Sequence, residues 1–263
     1  MDKQALIELI RQKREFRDLD NAFVGKMLGT VLKARKAEDL KTKDAVKAAK
    51  ETRALLREVY GAFLTPKFFQ REKFLQGIKS LNDLEAHKSV LALHLSTKER
   101  LPFYETVYQK IFAITGKPST ILDLGCGLNP FSIPFMHIPN LTYYAAELAK
   151  ADAEFIQEYF TKAGVRGSTF QMDLTEAGKF PAADVCFMFK VIDTLEAIQW
   201  DITAELLARL RAKWIVASFA KKSLGGRKTI KPEKRQWFER LIEKREYKTV
   251  EVENEIFYVI KGL

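Results

Sequence analysis

Apolar residues recur at helical spacing through the first hundred positions of the chain. Ala5, Ile7, Leu9 and Ile10 make one such set; Phe23, Val24, Met27, Leu28, Val31 and Leu32 make another. Glycine and proline are scarce until Gly61 and Pro66. Lys41 to Arg57 is rich in alanine and lysine, with basic residues on several faces. Tyr60 to Pro66 breaks the pattern and reads as a loop carrying aromatic side chains. A further helix is expected over Leu81 to Leu93. Ser96 or Thr97 is expected to cap a helix with Glu99 and Arg100 in its first turn. Arginine there opposes the helix dipole. Two readings of Arg100 follow: a surface side chain, or one that meets a ligand carboxylate or phosphate.

From Leu101 the texture changes to alternating helix and strand. Phe103 to Ile114 reads as a helix and Thr120 to Leu124 as a strand. A helix is expected to begin in Phe131 to His137. A second strand, Leu141 to Ala146, ends at Glu147, and Ala151 to Ala163 is a helix stopped by Gly164. Strands over Ser168 to Met172, ending at Asp173, and Val185 to Val191, with Lys190 near its end, come next. A helix over Trp200 to Leu210 and a strand over Trp214 to Phe219 follow. After a basic loop, a helix from Gln236 to Arg245 leads to two strands, Tyr247 to Val252 and Ile256 to Ile260. Alternation of this kind implies an α/β fold with a mostly parallel sheet and a C-terminal antiparallel hairpin. The expected organisation is an N-terminal helical domain over 1–104 and a second domain over 105–263.

The stretch Ser119 to Pro134, STILDLGCGLNPFSIP, runs from a buried strand into a glycine turn. Gly125 and Gly127 let the backbone turn sharply and let a ligand approach it. The third glycine of a dinucleotide pattern is absent, because Pro130 stands there. A nucleoside without a diphosphate fits better than a pyrophosphate, and S-adenosylmethionine (AdoMet) is the candidate. Glu147 ends the next strand about 20 residues on, where a carboxylate accepts from ribose hydroxyls. Asp173 follows the third strand, in reach of an adenine amino group. Lys190 is a poor base unless its pKa is strongly lowered, which leaves a phosphate contact or a salt bridge.

The net charge is +10, and the first hundred residues carry 22 basic against 14 acidic side chains, the remainder 22 against 20. A surplus concentrated in the first hundred residues points to a polyanion such as nucleic acid. Lys221 to Arg235 holds seven basic residues and one acid, Glu233, and is a second candidate for phosphate contacts. The two cysteines, Cys126 and Cys186, and three histidines show no metal spacing. No apolar run reaches membrane-spanning length and no signal peptide is evident. A cytoplasmic monomer without a metal is expected, with no hydrolase motif to compete.

HLSTKERL (His94 to Leu101), ILDLGCGLNPFSIPFM (Ile121 to Met136), FKVIDTLE (Phe189 to Glu196) and ASFAKKSLGGR (Ala217 to Arg227) resemble the aminoglycoside-resistance 16S rRNA methyltransferases. That family modifies N7 of a decoding-site guanine. The Tyr60 to Phe63 patch and Trp237-Phe238-Glu239 fit it too. The resemblance implies a class I Rossmann-like AdoMet methyltransferase domain, and an N-terminal helical domain that grips the 30S subunit. It implies that Arg100 binds the AdoMet carboxylate, Gly125 the methionine moiety, Glu147 the ribose, and Asp173 with Leu174 the adenine. Phe63, His94, Ser96 and Gln199 are assigned to the cofactor's surroundings, and Lys190 with Phe103 to positioning, with no residue as a general base. Lys190, Lys222, Arg227 and Lys228 are assigned to the RNA.

The sequence departs from the family where Glu147 replaces an aspartate and Ala149 a second acid. It also departs at Ile192-Asp193, at Ala220 and over Thr229 to Lys234. The altered loop keeps a second target open, such as a neighbouring adenine N1. A non-catalytic AdoMet- or ribosome-binding factor is the third reading.

Overall fold

The computed structural model describes residues 2–35, 42–176, 178–226 and 228–262. The N-terminal part is helical. Helices α1 (Lys3–Arg11), α2 (Asn21–Arg35) and α3 (Thr42–Val59) pack around their own apolar core, which includes Leu6, Ile10, Phe16, Val24, Leu28 and Leu56. Asp2 caps α1 by accepting from the Ala5 N–H at 2.7 Å. Four short helices follow: α4 (Arg71–Leu75), α5 (Leu84–Leu91), α6 (Leu95–Arg100) and α7 (Tyr104–Thr115).

The second part is a seven-stranded sheet with strand order β3-β2-β1-β4-β5-β7-β6. The strands are β1 (Thr120–Leu124), β2 (Thr142–Glu147), β3 (Arg166–Gln171), β4 (Ala183–Phe189), β5 (Ala212–Ala220), β6 (Tyr247–Glu251) and β7 (Glu255–Lys261). The first five run parallel, and the hairpin of β6 and β7 joins β5 antiparallel. The remaining helices are α8 (Lys150–Ala163), α9 (Ile192–Ile198), α10 (Ile202–Arg209) and α11 (Gln236–Ile242). Alternation along β1 shows how the sheet separates two cores. Ile121 faces the layer of α7 and α8, whereas Leu122 and Leu124 face that of α10 and α11. Residues Phe68, Leu75, Val90 and Leu93 pack into the first of these, not into the N-terminal core.

Several elements differ from expectation. The segment after β1 is a 3-10 helix, Asn129–Met136, with Pro134 inside it, not the start of an α-helix; a proline there removes an N–H that α-helical pairing would use. Tyr60 to Pro66 is not open loop throughout, since Gly61–Phe63 forms a 3-10 turn. β4 stops at Phe189 because Lys190 takes a left-handed φ of +55°. Its N–H donates instead to the Ser218 carbonyl and hydroxyl, at 3.1 and 3.0 Å. The helix expected over Trp200 to Leu210 begins only at Ile202. The Glu196 carboxylate accepts from the N–H groups of Asp201 and Thr203, at 2.9 and 2.8 Å, which starts α10 afresh after α9.

Arg100 is the most consequential correction. Helix α6 opens at Leu95 with His94 before it and no side-chain cap, and Arg100 lies in its last turn. A cation at that end is favourable for the helix dipole, so the electrostatic reason for seeking an anionic ligand there does not hold.

Candidate functional site

The carboxyl edge of the parallel strands opens on one cavity. Its floor is the turn after β1, where Gly125 and Gly127 take left-handed φ angles of +61° and +53°. A Cβ on Gly125 would stand 2.6 Å from Val191, and one on Gly127 3.1 Å from the His94 ring. Both positions therefore need glycine for conformation and for space. Below the turn, Asp123 is fully buried and accepts from Tyr143 and Asn129 at 2.6 and 2.8 Å. Burial pushes its pKa up to about 6 despite those donors.

Glu147, at the tip of β2, is buried in the cavity wall. Its carboxylate accepts from the Gly127 N–H, and from the Leu148 N–H at 2.9 Å. Burial pushes its pKa up to about 7, the charge of Asp152 adds to the rise, and the two N–H donors oppose it. Ala149, where the resembling family has an acid, is buried in the N-terminal helical core with Leu148 packed against it. An acid there would lose its hydration without a partner.

Asp173 lies two residues beyond the end of β3 and lines the same cavity, as does Leu174. The Asp173 carboxylate accepts from the Thr175 N–H at 2.9 Å and from the Lys26 ammonium, on α2, at 3.0 Å. Arg100 reaches the cavity from α6 and is 1% exposed. Two of its nitrogens form a paired contact with Glu255 at 3.1 and 2.7 Å, and a third donates to Asn129 at 3.2 Å and Tyr104 at 3.4 Å. These four contacts leave one N–H of the guanidinium's five for a ligand. Lys190 bonds Glu99 at 2.9 Å and lies 3.5 Å from Glu255. Two cations and two carboxylates thus balance beside the cavity.

Phe63, His94 and Ser96 also line the cavity. The rings of Phe63 and His94 stack, with centroids 5.5 Å apart. Burial drives the His94 pKa down to about 3, and the charges of Arg100 and Lys190 lower it further, so the imidazole is neutral. Its buried Nδ1 has no partner among the described residues.

Two expected residues are elsewhere. Phe103 packs against the sheet's core, and Gln199 closes the end of α9, where its neighbour Ile198 takes the wall position. Lys222 is outside the cavity and bonds Glu253 at 2.6 Å; Lys228 is exposed on the loop, and Arg227 lies outside the described residues. Arg235, counted with the basic loop, is buried.

Residues that the sequence had not assigned to the site complete the wall. Phe23, Val59 and Tyr60 come from the N-terminal helical region, and Thr194 and Leu195 from α9. The Tyr60 hydroxyl donates to Asp152 at 2.6 Å, and Arg71 pairs with the other oxygen at 3.0 Å. No sequence signal marks Lys26, Asp152 or Glu255, because each acquires its role from a partner distant in the chain. Among the described residues no three His, Cys, Asp or Glu side chains gather as a metal site requires.

The strand order, the bare glycine turn and the acids of the next two strand ends around one cavity define a class I AdoMet-dependent methyltransferase. More particularly, the chain belongs to the ribosomal RNA methyltransferase (FmrO) family, whose model matches residues 30–259. A 16S rRNA (guanine(1405)-N(7))-methyltransferase of Micromonospora rosea is 31% identical, across 97% of this chain and 95% of the relative. One of the same name from Proteus mirabilis is 31% identical across 68% of this chain and 69% of its own length. Among solved structures, the 16S rRNA methyltransferase RmtF in complex with S-adenosyl-L-homocysteine superposes with a TM-score of 0.83. That pair is 26% identical, and each chain is covered in full.

Proposed function

We propose that this enzyme transfers a methyl group from AdoMet to N7 of the decoding-site guanine for which its relatives are named, in the 16S rRNA of a 30S subunit. The observation that carries the reading is the convergence of the glycine turn, Glu147, Asp173 and Arg100 on a single cavity. The residues suit the cofactor. Glu147 would accept from the ribose hydroxyls, and Asp173 with Leu174 would hold the adenine. The open N–H of Arg100 would meet the ligand's carboxylate, with Phe63, His94 and Ser96 around the methionine end. The bare backbone at Gly125 and Gly127 leaves room for close approach.

AdoMet supplies an electrophilic methyl group on a sulfonium. The chain's task is to hold the acceptor nitrogen in line with it. Guanine N7 offers a free lone pair and has no proton to lose, so no general base is required. Lys190, held by Glu99 and Glu255, is suited to positioning the acceptor. The neutral His94 adds no like charge beside a sulfonium. The N-terminal helices of 1–104, with Lys222, Arg227 and Lys228 on the basic loop, are proposed to meet rRNA phosphates. The enzyme is proposed to act as a monomer, in the compartment where subunits assemble.

Incubating purified 30S subunits with the enzyme and methyl-labelled AdoMet, then mapping the modified base, tests the proposal. Label on N7 of that guanine is expected, with resistance to gentamicin and retained sensitivity to apramycin in a susceptible host. The altered segment Thr229 to Lys234 favours one alternative, adenine N1, which would give apramycin resistance instead. Absence of label from the subunit would contradict the proposal.

A further inference from the structure

We infer that Lys26, on the N-terminal helix α2, is a positioning residue of the cofactor site, orienting Asp173 to receive the adenine amino group. The inference rests on the AdoMet reading above and assigns part of that site to the N-terminal helical region.

Asp173 follows β3 in a segment without regular secondary structure, so no ladder of backbone hydrogen bonds fixes it. A carboxylate's terminal torsion is broad on its own. Three contacts hold it here. Thr175 donates to Oδ1 through its N–H at 2.9 Å and its hydroxyl at 2.6 Å. Lys26 donates to Oδ2 at 3.0 Å and also to the Thr175 hydroxyl. Lysine, threonine and aspartate thus close a triangle across 147 residues of sequence.

An exposed ion pair would do little. This one differs, because the Asp173 side chain is only 12% exposed. Its lysine is bonded a second time, which defines the direction of Oδ2. An oxygen of this kind has two lone pairs, and Lys26 takes one. The other remains for an amine donor on the cavity side. Phe23, one turn before Lys26 on the same helix, lines the cavity, so this face of α2 covers that end of it.

The test is calorimetric titration of the full chain with two ligands. One is S-adenosylhomocysteine. The other is its purine analogue, in which hydrogen replaces the 6-amino group. Lys26→Met keeps the aliphatic stem and removes the ammonium, and at a side chain one-third exposed it leaves the fold intact. Affinity for S-adenosylhomocysteine is expected to fall about tenfold, as for loss of one charge-assisted contact. Affinity for the purine analogue is expected to stay within about twofold, because it has no amine to orient. Lys26→Arg should restore most of the difference. Equal losses for both ligands would reduce Lys26 to part of the wall and overturn the inference, as would no loss for either. A wild-type chain that binds neither ligand would instead overturn the cofactor reading itself, and the inference with it.

Discussion

Glu147 shows how one side chain can set two opposed pH dependences. Its pKa in the fold is about 7, raised chiefly by burial, against about 4.3 for an unperturbed glutamate. Between those values the folded chain holds a proton that the unfolded chain has lost. Its contribution to the stability of the unliganded protein therefore falls as pH rises through that window. In the proposed ribose contact the hydroxyls donate to the ionised carboxylate, so cofactor affinity is expected to rise across the upper part of the same window. The thermal shift produced by S-adenosylhomocysteine should be larger at pH about 8 than at about 6. Glu147→Gln should bind more weakly and lose most of that slope. A shift of equal size at both pH values in the wild type would contradict this role. The residue was legible in the sequence because strand ends can be counted from a glycine turn. Its environment was not, since the Gly127 N–H and the charge of Asp152 are brought against it only by folding.

At the scale of elements, the strands and helices of the α/β part were read nearly in place, because short apolar runs and helical spacing are local signals. The errors fall where a distant contact overrides local preference. β4 ends at a lysine held left-handed by Ser218 on β5, and α10 starts where Glu196 supplies a cap from the preceding helix. Helix α6 shows this most clearly. Its last residue, Arg100, is buried against Glu255, the first residue of β7, which lies 155 positions away. That pair ties helix α6, beside the cavity, to the C-terminal hairpin. Glu255→Ala would leave Arg100 buried without its charge partner, and Lys190 with only Glu99. Chemical denaturation should show a loss of about 3–5 kcal/mol, the range for breaking a buried pair. A loss below about 1 kcal/mol, as for a surface pair, would remove Glu255 from this structural role.

Over the whole molecule, the sequence separates an N-terminal helical part of high positive charge from an α/β part of near-neutral balance. The charge suggested what the first part meets, but not that it helps build the cavity. Phe23, Val59 and Tyr60 line that cavity, Lys26 reaches Asp173, and Tyr60 with Arg71 holds Asp152. These contacts span the two parts, so no local pattern along the chain could announce them. They give the N-terminal helices a second task beside the proposed grip on RNA: to close one side of the cavity proposed to hold the cofactor.

The most direct test of this account is a crystal structure of the full chain with S-adenosylhomocysteine. The ribose hydroxyls are expected on Glu147, the adenine amine on Asp173 beside Lys26, and the carboxylate at Arg100, with α2 and α3 closed over the ligand. A ligand bound in another cavity, or one held with those side chains turned away from it, would contradict the account.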